Sequence, residues 1–146
     1  MQKEKLTIGR REIVDFPELG LLGIEAKIDT GAYTTALHCH DIKVENGVLH
    51  FKFVDPSHPE YNEQDQVFSE YSQKEIKNSF GEVEVRYIIK TVVKIGKKRI
   101  KALISLTDRG NMRYPVLLGR KLLKNRFVVD VALLNNIPPF VKKRSS

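Results

Sequence analysis

Apolar and polar residues alternate along several short stretches of the chain. Residues 6–8, 24–28 and 83–87 each place an apolar side chain at every second position. Successive side chains of a β-strand point to opposite faces, so a period of two is typical of a strand with one buried face. The pattern therefore predicts three half-buried strands, with Val83 and Val85 on the buried face of the third.

Longer apolar runs predict further strands and one helix. Residues 88–95 and 99–106 are rich in β-formers and flank a Gly-Lys-Lys turn, as expected for a hairpin. Residues 127–131 have the composition of another strand, and residues 120–124 give the best helix signal. Residues 55–66 are polar and contain two prolines, which predicts a long exposed loop. Together these elements predict a mainly β, closed or partly closed barrel with one short C-terminal helix.

Length, charge and cysteine content restrict the class of protein. A chain of 146 residues fits one domain. We expect this domain at residues 1–137 and a basic, flexible tail at 138–146. The net charge is +7, but basic residues outside the tail form no dense block and do not alternate with aromatic residues, so nucleic-acid binding is not favoured.

The N-terminus, the length of the apolar runs and the cysteine content indicate where in the cell the protein is located. The N-terminus lacks the apolar core of a signal peptide, and no apolar run approaches the roughly 20 residues that span a membrane. The single cysteine, Cys39, excludes an intrachain disulfide and fits a reducing compartment. We therefore expect a cytoplasmic protein without a membrane partner.

The most informative short motif is Asp-Thr-Gly at residues 29–31, directly after the alternating run. Taken alone, it is also a common turn sequence, because Asp accepts hydrogen bonds from nearby backbone N–H groups. A second motif, Leu-Leu-Gly-Arg at residues 117–120, lies far downstream. In retroviral-type aspartic proteases a strand leads into Asp-Thr-Gly, and a later apolar-apolar-Gly segment passes beside that loop before a short helix. The chain is similar to this retropepsin-like arrangement.

Further segments, at residues 14–20, 26–32, 36–38, 106–109, 112–115 and 117–120, narrow the resemblance to one family. The chain resembles the RimB-like family of bacterial and archaeal proteins. That family is described as retropepsin-like, is also named for an ATP-dependent zinc protease, and is linked with the RimK glutamate ligase. One position departs from the family pattern, because members usually carry Arg after Asp-Thr-Gly-Ala where this chain has Tyr33.

The resemblance implies a role for each matched residue. Asp29 would be the catalytic carboxylate, Thr30 would hold two copies of the loop in register, and Gly31 would let the backbone approach closely. Residues 78–81 stand where retropepsins have the tip of a flap, although an ordinary hairpin turn explains them equally well. The implied substrate-binding residues are Ala32, Tyr33, Asn78, Ser79, Phe80, Gly81, Arg109 and Arg113, and the implied structural supports are Leu118, Gly119 and Arg120.

An aspartic mechanism needs two carboxyl groups. One, ionised, takes a proton from water, and the other, protonated, donates to the carbonyl oxygen of the peptide. Two carboxyl groups in contact cannot both ionise, so they share one proton. Since the chain has a single Asp-Thr-Gly, the second group must come from another copy. We therefore expect a twofold homodimeric aspartic endopeptidase that uses water as the nucleophile and needs no cofactor.

The zinc and ATP of the family name find little support in the sequence. It contains no His-Glu-x-x-His, no Cys-x-x-Cys and no Gly-x-x-x-x-Gly-Lys-Ser/Thr phosphate loop. On a strand, His38 and His40 would share one face and Cys39 would point to the other, so three metal ligands would not converge. Cys39 is accordingly interpreted as a small core residue and not as a nucleophile.

The sequence leaves two interpretations open for the nature of the substrate and two for whether the protein is an enzyme. Arg86, Arg109, Arg113 and Arg120 lie in or beside the matched segments, and arginine holds carboxylates in a bidentate fork. If they line the cleft, the substrate is an acidic or glutamate-bearing peptide; if they form structural ion pairs, they say nothing about the substrate. The alternative to a protease is a non-catalytic binding or regulatory module for a glutamate-ligase partner.

Overall fold

A computed structural model describes residues 4–54, 59, 61, 63–77, 80–108 and 113–138. Within these residues the chain is mainly β-strand, as predicted. The strands are β1 (Leu6–Ile8), β2 (Arg11–Phe16), β3 (Leu21–Ile28), β4 (Thr35–Glu45), β5 (Val48–Phe53), β6 (Gln66–Phe68), β7 (Ser72–Lys77), β8 (Val83–Ile95), β9 (Lys98–Thr107), β10 (Val116–Leu118) and β11 (Phe127–Val129). A short 3-10 helix occupies Pro17–Leu19, and one α-helix, α1, occupies Arg120–Leu123.

Six of these strands close into a barrel, which confirms the predicted architecture. The order around the barrel is β10, β3, β2, β8, β9 and β4, and β4 returns to β10. The short strand β10 completes the closure because it pairs in parallel with β3 on one side and antiparallel with β4 on the other. Strands β5 and β6 extend the sheet beyond β4, whereas β1 and β11 form a separate parallel pair.

Alternate residues of the barrel strands form the core. The predicted strand at residues 24–28 is part of β3, and its apolar residues Ile24, Ala26 and Ile28 are all buried. Leu122 and Leu123 of the predicted helix are buried too, although the helix ends one residue earlier than predicted. The strand predicted at residues 127–131 ends at Val129. The pattern therefore located these elements correctly and misplaced some boundaries by one or two residues.

The alternating run at residues 83–87 and the apolar run at residues 88–95 belong to one strand, β8, and the first of these runs is not buried as predicted. Val83 is 62% exposed and Val85 44% exposed. The reason is that β9 begins to pair with β8 only at Ile88, so the preceding residues pair with β7 alone and project beyond the barrel. A two-stranded ribbon has no layer to cover its apolar side chains.

The prediction of an exposed loop at residues 55–66 is wrong at the C-terminal end of that stretch. Gln66 is buried as the first residue of β6, and its Nε2 donates to the carbonyl oxygen of Leu19 at 3.0 Å. Residues 55–58, 60 and 62 of this stretch lie outside the described part. Sequence reasoning did not predict β2, β4, β5, β6, β7 or β10 as strands. In the part of the chain that the structure describes, no helix has the length and hydrophobicity required to cross a membrane.

Candidate active site

The loop that carries Asp29 begins where β3 leaves the barrel. The backbone N–H of Asp29 donates to the carbonyl oxygen of Leu118 at 2.9 Å, so the β3–β10 pairing continues one residue into the loop. The loop then turns back: the Ala32 N–H donates to the Asp29 carbonyl at 3.2 Å, and the Gly31 N–H donates to Oδ1 of Asp29 at 3.0 Å. These bonds fix the position of a half-buried carboxylate at the end of a strand.

The downstream motif holds the other side of the same loop. The N–H groups of Arg120 and Lys121 donate to the carbonyl oxygens of Ala32 and Tyr33 at 2.8 and 3.0 Å. The Gly119 N–H donates to Oγ1 of the buried Thr35 at 3.1 Å. The first turn of α1 therefore satisfies its otherwise unpaired donors on the Asp-Thr-Gly loop.

Position 119 requires a glycine because the backbone of another segment approaches it closely, and not because of its φ angle. A Cβ atom at this position would lie 2.5 Å from the carbonyl oxygen of Thr34 and 2.8 Å from that of Tyr33. Both neighbours are backbone atoms, which cannot move aside as the end of a flexible side chain can. The two motifs therefore pack directly against each other.

Arg120 and Tyr33 form a second contact between the motifs. The guanidinium Nη1 of Arg120 donates to the carbonyl oxygen of Thr30 at 3.0 Å, and its Cζ lies 5.8 Å from the centre of the Tyr33 ring. A cation over an aromatic face is attracted by the electrons of the ring. Tyr33 of the loop thus lies beside the arginine of the downstream motif.

A cavity of about 260 Å³ opens at the Asp29 side chain. It lies between the loop and the outer face of β4, β8, β9 and β10, and its other lining residues are Ala32, Thr34, Ala36, Arg86, Ser105, Thr107 and Leu117. Asp29 is the only carboxylate among the described residues that line it. Nε of Arg86 is itself buried, and it has no hydrogen-bond partner among the described residues. The cavity therefore combines one carboxylate with one guanidinium.

The site residues predicted from the sequence divide between this cavity, its supporting loop and other places. Asp29 and Ala32 line the cavity, and Thr30, Gly31 and Tyr33 belong to the exposed loop beside it. Leu118, Gly119 and Arg120 support the loop through the contacts described above. Phe80, which is 87% exposed, and Gly81, with φ +81°, lie in the turn between β7 and β8. Asn78, Ser79 and Arg109 lie outside the described residues.

Arg113 lies in a neighbouring cavity and not in the one at Asp29. Among the described residues, no carboxylate forms an ion pair with Arg86, Arg113 or Arg120. The structural ion pairs considered for these three arginines are therefore not present in that part of the chain. Sequence reasoning missed Ser105 and Thr107, whose signal was a polar residue at every second position near the end of β9.

The His-Cys-His stretch is part of β4. His38 and Cys39 are both buried, and Nδ1 of His38 lies 3.3 Å from the Thr107 carbonyl oxygen. Burial, with a smaller contribution from the charge of Asp108, raises the pKa of the Cys39 thiol well above its usual value. A thiol held in its neutral form is a poor nucleophile. Among the described residues, no group of three His, Cys, Asp or Glu side chains is placed to hold a metal ion.

The fold and this loop define a class of protein: a retropepsin-like β-barrel in which a strand-end aspartate meets a Gly-Arg helix start. The model of one family, described as RimB-like, retropepsin-like aspartic endopeptidase RimB, matches residues 7–138. The chain belongs to that family, as the sequence motifs predicted.

Relatives and a solved structure agree with this assignment. The chain is 34% identical over 136 residues to a protein of Shewanella halifaxensis named "Probable alpha-L-glutamate ligase", a match that covers 89% of this chain and 29% of that protein. A Desulfotalea psychrophila protein of the same name is 33% identical over 135 residues, covering 88% of this chain and 29% of its own length. The chain thus spans less than a third of the curated relatives it matches. A crystal structure of a Legionella pneumophila protein of unknown function (DUF785) superposes with a TM-score of 0.70 at 27% identity, covering 91% of this chain and 98% of that one.

Proposed function

We propose that the chain is an aspartic endopeptidase that acts as a homodimer. In this proposal, a water molecule between Asp29 of each copy attacks the peptide bond. One carboxylate accepts the proton of the water, and the other, protonated, donates to the carbonyl oxygen. The observation that carries the proposal is the position of Asp29, fixed by backbone bonds from two separate motifs and open to a cavity.

The surface around the loop supports a second copy as the source of the other carboxylate. Among the described residues, strands β1 and β11 form a two-stranded sheet whose outer edges pair with no other strand, and such edges are available to another chain. Leu6 is 44% exposed, Val128 50% and Val131 71%. Next to this sheet, a cavity of about 480 Å³ is lined by Thr30, Tyr33 and Phe127, so the apolar surface continues up to the Asp-Thr-Gly loop.

The projecting β7–β8 ribbon supports a covered site. Arg86 lies at its base and lines the Asp29 cavity, while Val83, Val85 and Phe80 are exposed farther out. We propose that the ribbon closes over bound peptide as a flap, which excludes water from the reacting groups. The guanidinium of Arg86, which lines the same cavity as Asp29, supports acidic, glutamate-bearing peptides as the substrates in this proposal.

The relatives supply the biological setting of the proposal. Proteins named as glutamate ligases contain a segment similar to this chain within a longer polypeptide. We propose that this chain acts together with such a ligase and hydrolyses glutamate-bearing peptides. The same observation favours a second candidate, in which the chain binds and regulates the ligase without cleaving anything.

Mixed dimers test the dyad directly. Purified wild type and Asp29→Asn are each incubated with glutamate-containing peptides, with and without a chelator, and products are read by mass spectrometry. The amide introduced by Asp29→Asn keeps an oxygen that can accept the Gly31 N–H, so we expect the variant to fold. Its cleavage should fall by at least about 10²-fold, as for loss of a general acid–base. Adding excess Asp29→Asn to wild type should suppress activity, because each mixed dimer has one carboxylate.

Four results would contradict the proposal. Cleavage retained in Asp29→Asn would remove Asp29 from the mechanism, and cleavage abolished by the chelator would indicate a metalloprotease. Wild-type activity unaffected by excess variant would exclude a shared dyad. A folded wild-type dimer that cleaves no peptide at any pH but binds the ligase would establish the regulatory module.

A further inference from the structure

A second, larger cavity lies beside the one at Asp29 and is lined by cations. It has a volume of about 550 Å³, and its lining includes Arg10, Arg11, Lys27 and Arg113. No described carboxylate lines it. We call these four residues the cationic cluster. Its concentration of charge is not explained by the catalytic proposal, which uses only Asp29 and Arg86.

Among the described residues, one member of the cationic cluster has its charge balanced and two others do not. Nη1 of Arg11 is 2.9 Å from Oε1 of Glu25. Neither Lys27 nor Arg113 forms an ion pair with a described carboxylate. Lys27 and Arg113 therefore present charges to the cavity that a bound anion would balance.

The pairing of the barrel strands shows that the two cavities share one outer face. Across the sheet, Arg11 pairs with Lys27, and Lys27 pairs with Leu117. Leu117 then pairs with Ala36, which in turn pairs with Ser105. Directly paired residues point to the same face of a sheet, and Leu117 lines both cavities. The cationic cluster and the Asp29 cavity are therefore two ends of one groove, with Leu117 between them.

We propose that the cationic cluster is a subsite for the acidic segment of the peptide that flanks the bond to be cleaved. Two strand spacings separate Leu117 from Arg11, about 10 Å, which an extended peptide covers in about three residues. A peptide carboxylate therefore reaches the cationic cluster if it lies about three residues away from the peptide residue that is positioned over Leu117. This inference rests on the proposed function, because it takes the occupant of the groove to be the substrate of Asp29.

Binding to an inactive protein tests the subsite independently of catalysis. Fluorescein-labelled hexaglutamate is titrated by anisotropy into Asp29→Asn protein and into the same protein with Lys27→Gln and Arg113→Gln added. The loss of two cations should weaken binding about fivefold to tenfold and reduce its salt dependence. The matched control adds Lys97→Gln and Lys101→Gln, which remove the same charge from the exposed β8–β9 hairpin, and it should bind within about twofold of the parent.

The outcomes separate this inference from the proposed function. An equal loss in both double variants, or no loss in either, would overturn the subsite, even if Asp29-dependent cleavage is found. A selective loss in the Lys27 and Arg113 variant would support the subsite, even if no cleavage is found. Tighter binding of a single-stranded RNA of equal charge, lost in the same variant, would overturn the peptide assignment in favour of nucleic acid.

Discussion

Two carboxylates at adjacent strands of the barrel have opposite surroundings. Glu12 on β2 is completely buried and accepts three backbone N–H groups, from Gly9 at 2.7 Å, Asn136 at 2.8 Å and Ile137 at 3.0 Å. Asp29 at the end of β3 is half-buried, accepts the Gly31 N–H and lines a cavity. One carboxylate has its oxygens occupied by the protein, and the other has oxygens left for a ligand.

The comparison shows how a carboxylate that supports the fold can be distinguished from one that is available for catalysis. Glu12 links the start of β2 to residues 136–137, which are more than a hundred positions away in the chain. Its three bonds compensate the loss of water around the charge. Asp29 has fewer bonds and more space, the arrangement that general acid–base chemistry requires. Each of the following variants should therefore change stability and activity in different proportions.

The largest expected effect is on stability, from Glu12→Ala. Removing the carboxylate leaves three backbone N–H groups without their acceptor, at about 1–3 kcal/mol for each that water does not reach. We expect the free energy of unfolding to fall by about 3–5 kcal/mol, measured by urea denaturation followed by circular dichroism. Glu12→Gln keeps one acceptor oxygen and should lose less. A stability close to wild type in Glu12→Ala would show that these three bonds do not hold the fold together.

Gly119→Ala should have the next largest effect, and it has a matched control in the other region. A Cβ atom at Gly9 would lie 2.5 Å from the carbonyl oxygen of Leu133. A Cβ atom at Gly119 would lie at the same distance from the carbonyl oxygen of Thr34. Both alanine variants should lose about 1–3 kcal/mol of stability through overpacking. Only Gly119→Ala should also lower kcat of the molecules that remain folded, because it displaces the Asp29 loop. Equal kcat values for the two variants would contradict this role.

The smallest expected effect comes from Arg120→Met, which removes the bond to the Thr30 carbonyl and the contact with the Tyr33 ring. We expect a stability loss of about 1 kcal/mol and a decrease in kcat of about tenfold with little change in KM. Tyr33→Phe keeps the aromatic face and should behave as wild type. A change in KM alone for Arg120→Met would assign this arginine to substrate binding and not to positioning the loop.

Local patterns predicted the elements that have one clear buried face. Ile24, Ala26 and Ile28 alternate with charged residues, so β3 was found from its period. The Leu122-Leu123 pair and the preceding basic residues indicated α1. The order of the two separated motifs indicated the loop at Asp29. In each case the information lies within a few consecutive residues or in the order of short motifs.

Other features depend on contacts that a local pattern does not contain. Val83 and Val85 have the alternation of a buried strand but lie in a ribbon with no covering layer. Gln66 continues a polar run in the sequence but has a buried acceptor in Leu19. Glu12 lies on the inward face of β2 together with Val14 and Phe16. Because Glu12 is charged, it interrupts the apolar alternation by which that face would be identified in the sequence.

The sequence by itself determined the class of fold and the family, and it singled out Asp29 as the candidate for the chemistry, because periodicity and ordered motifs are local properties of the chain. Only the tertiary structure decided that Arg86 lies at Asp29, that Arg113 lies in the adjoining cavity, and that Leu117 joins the two. These placements follow from the register of strands that are distant in sequence. Register is set by barrel closure, which depends on the whole set of pairings at once.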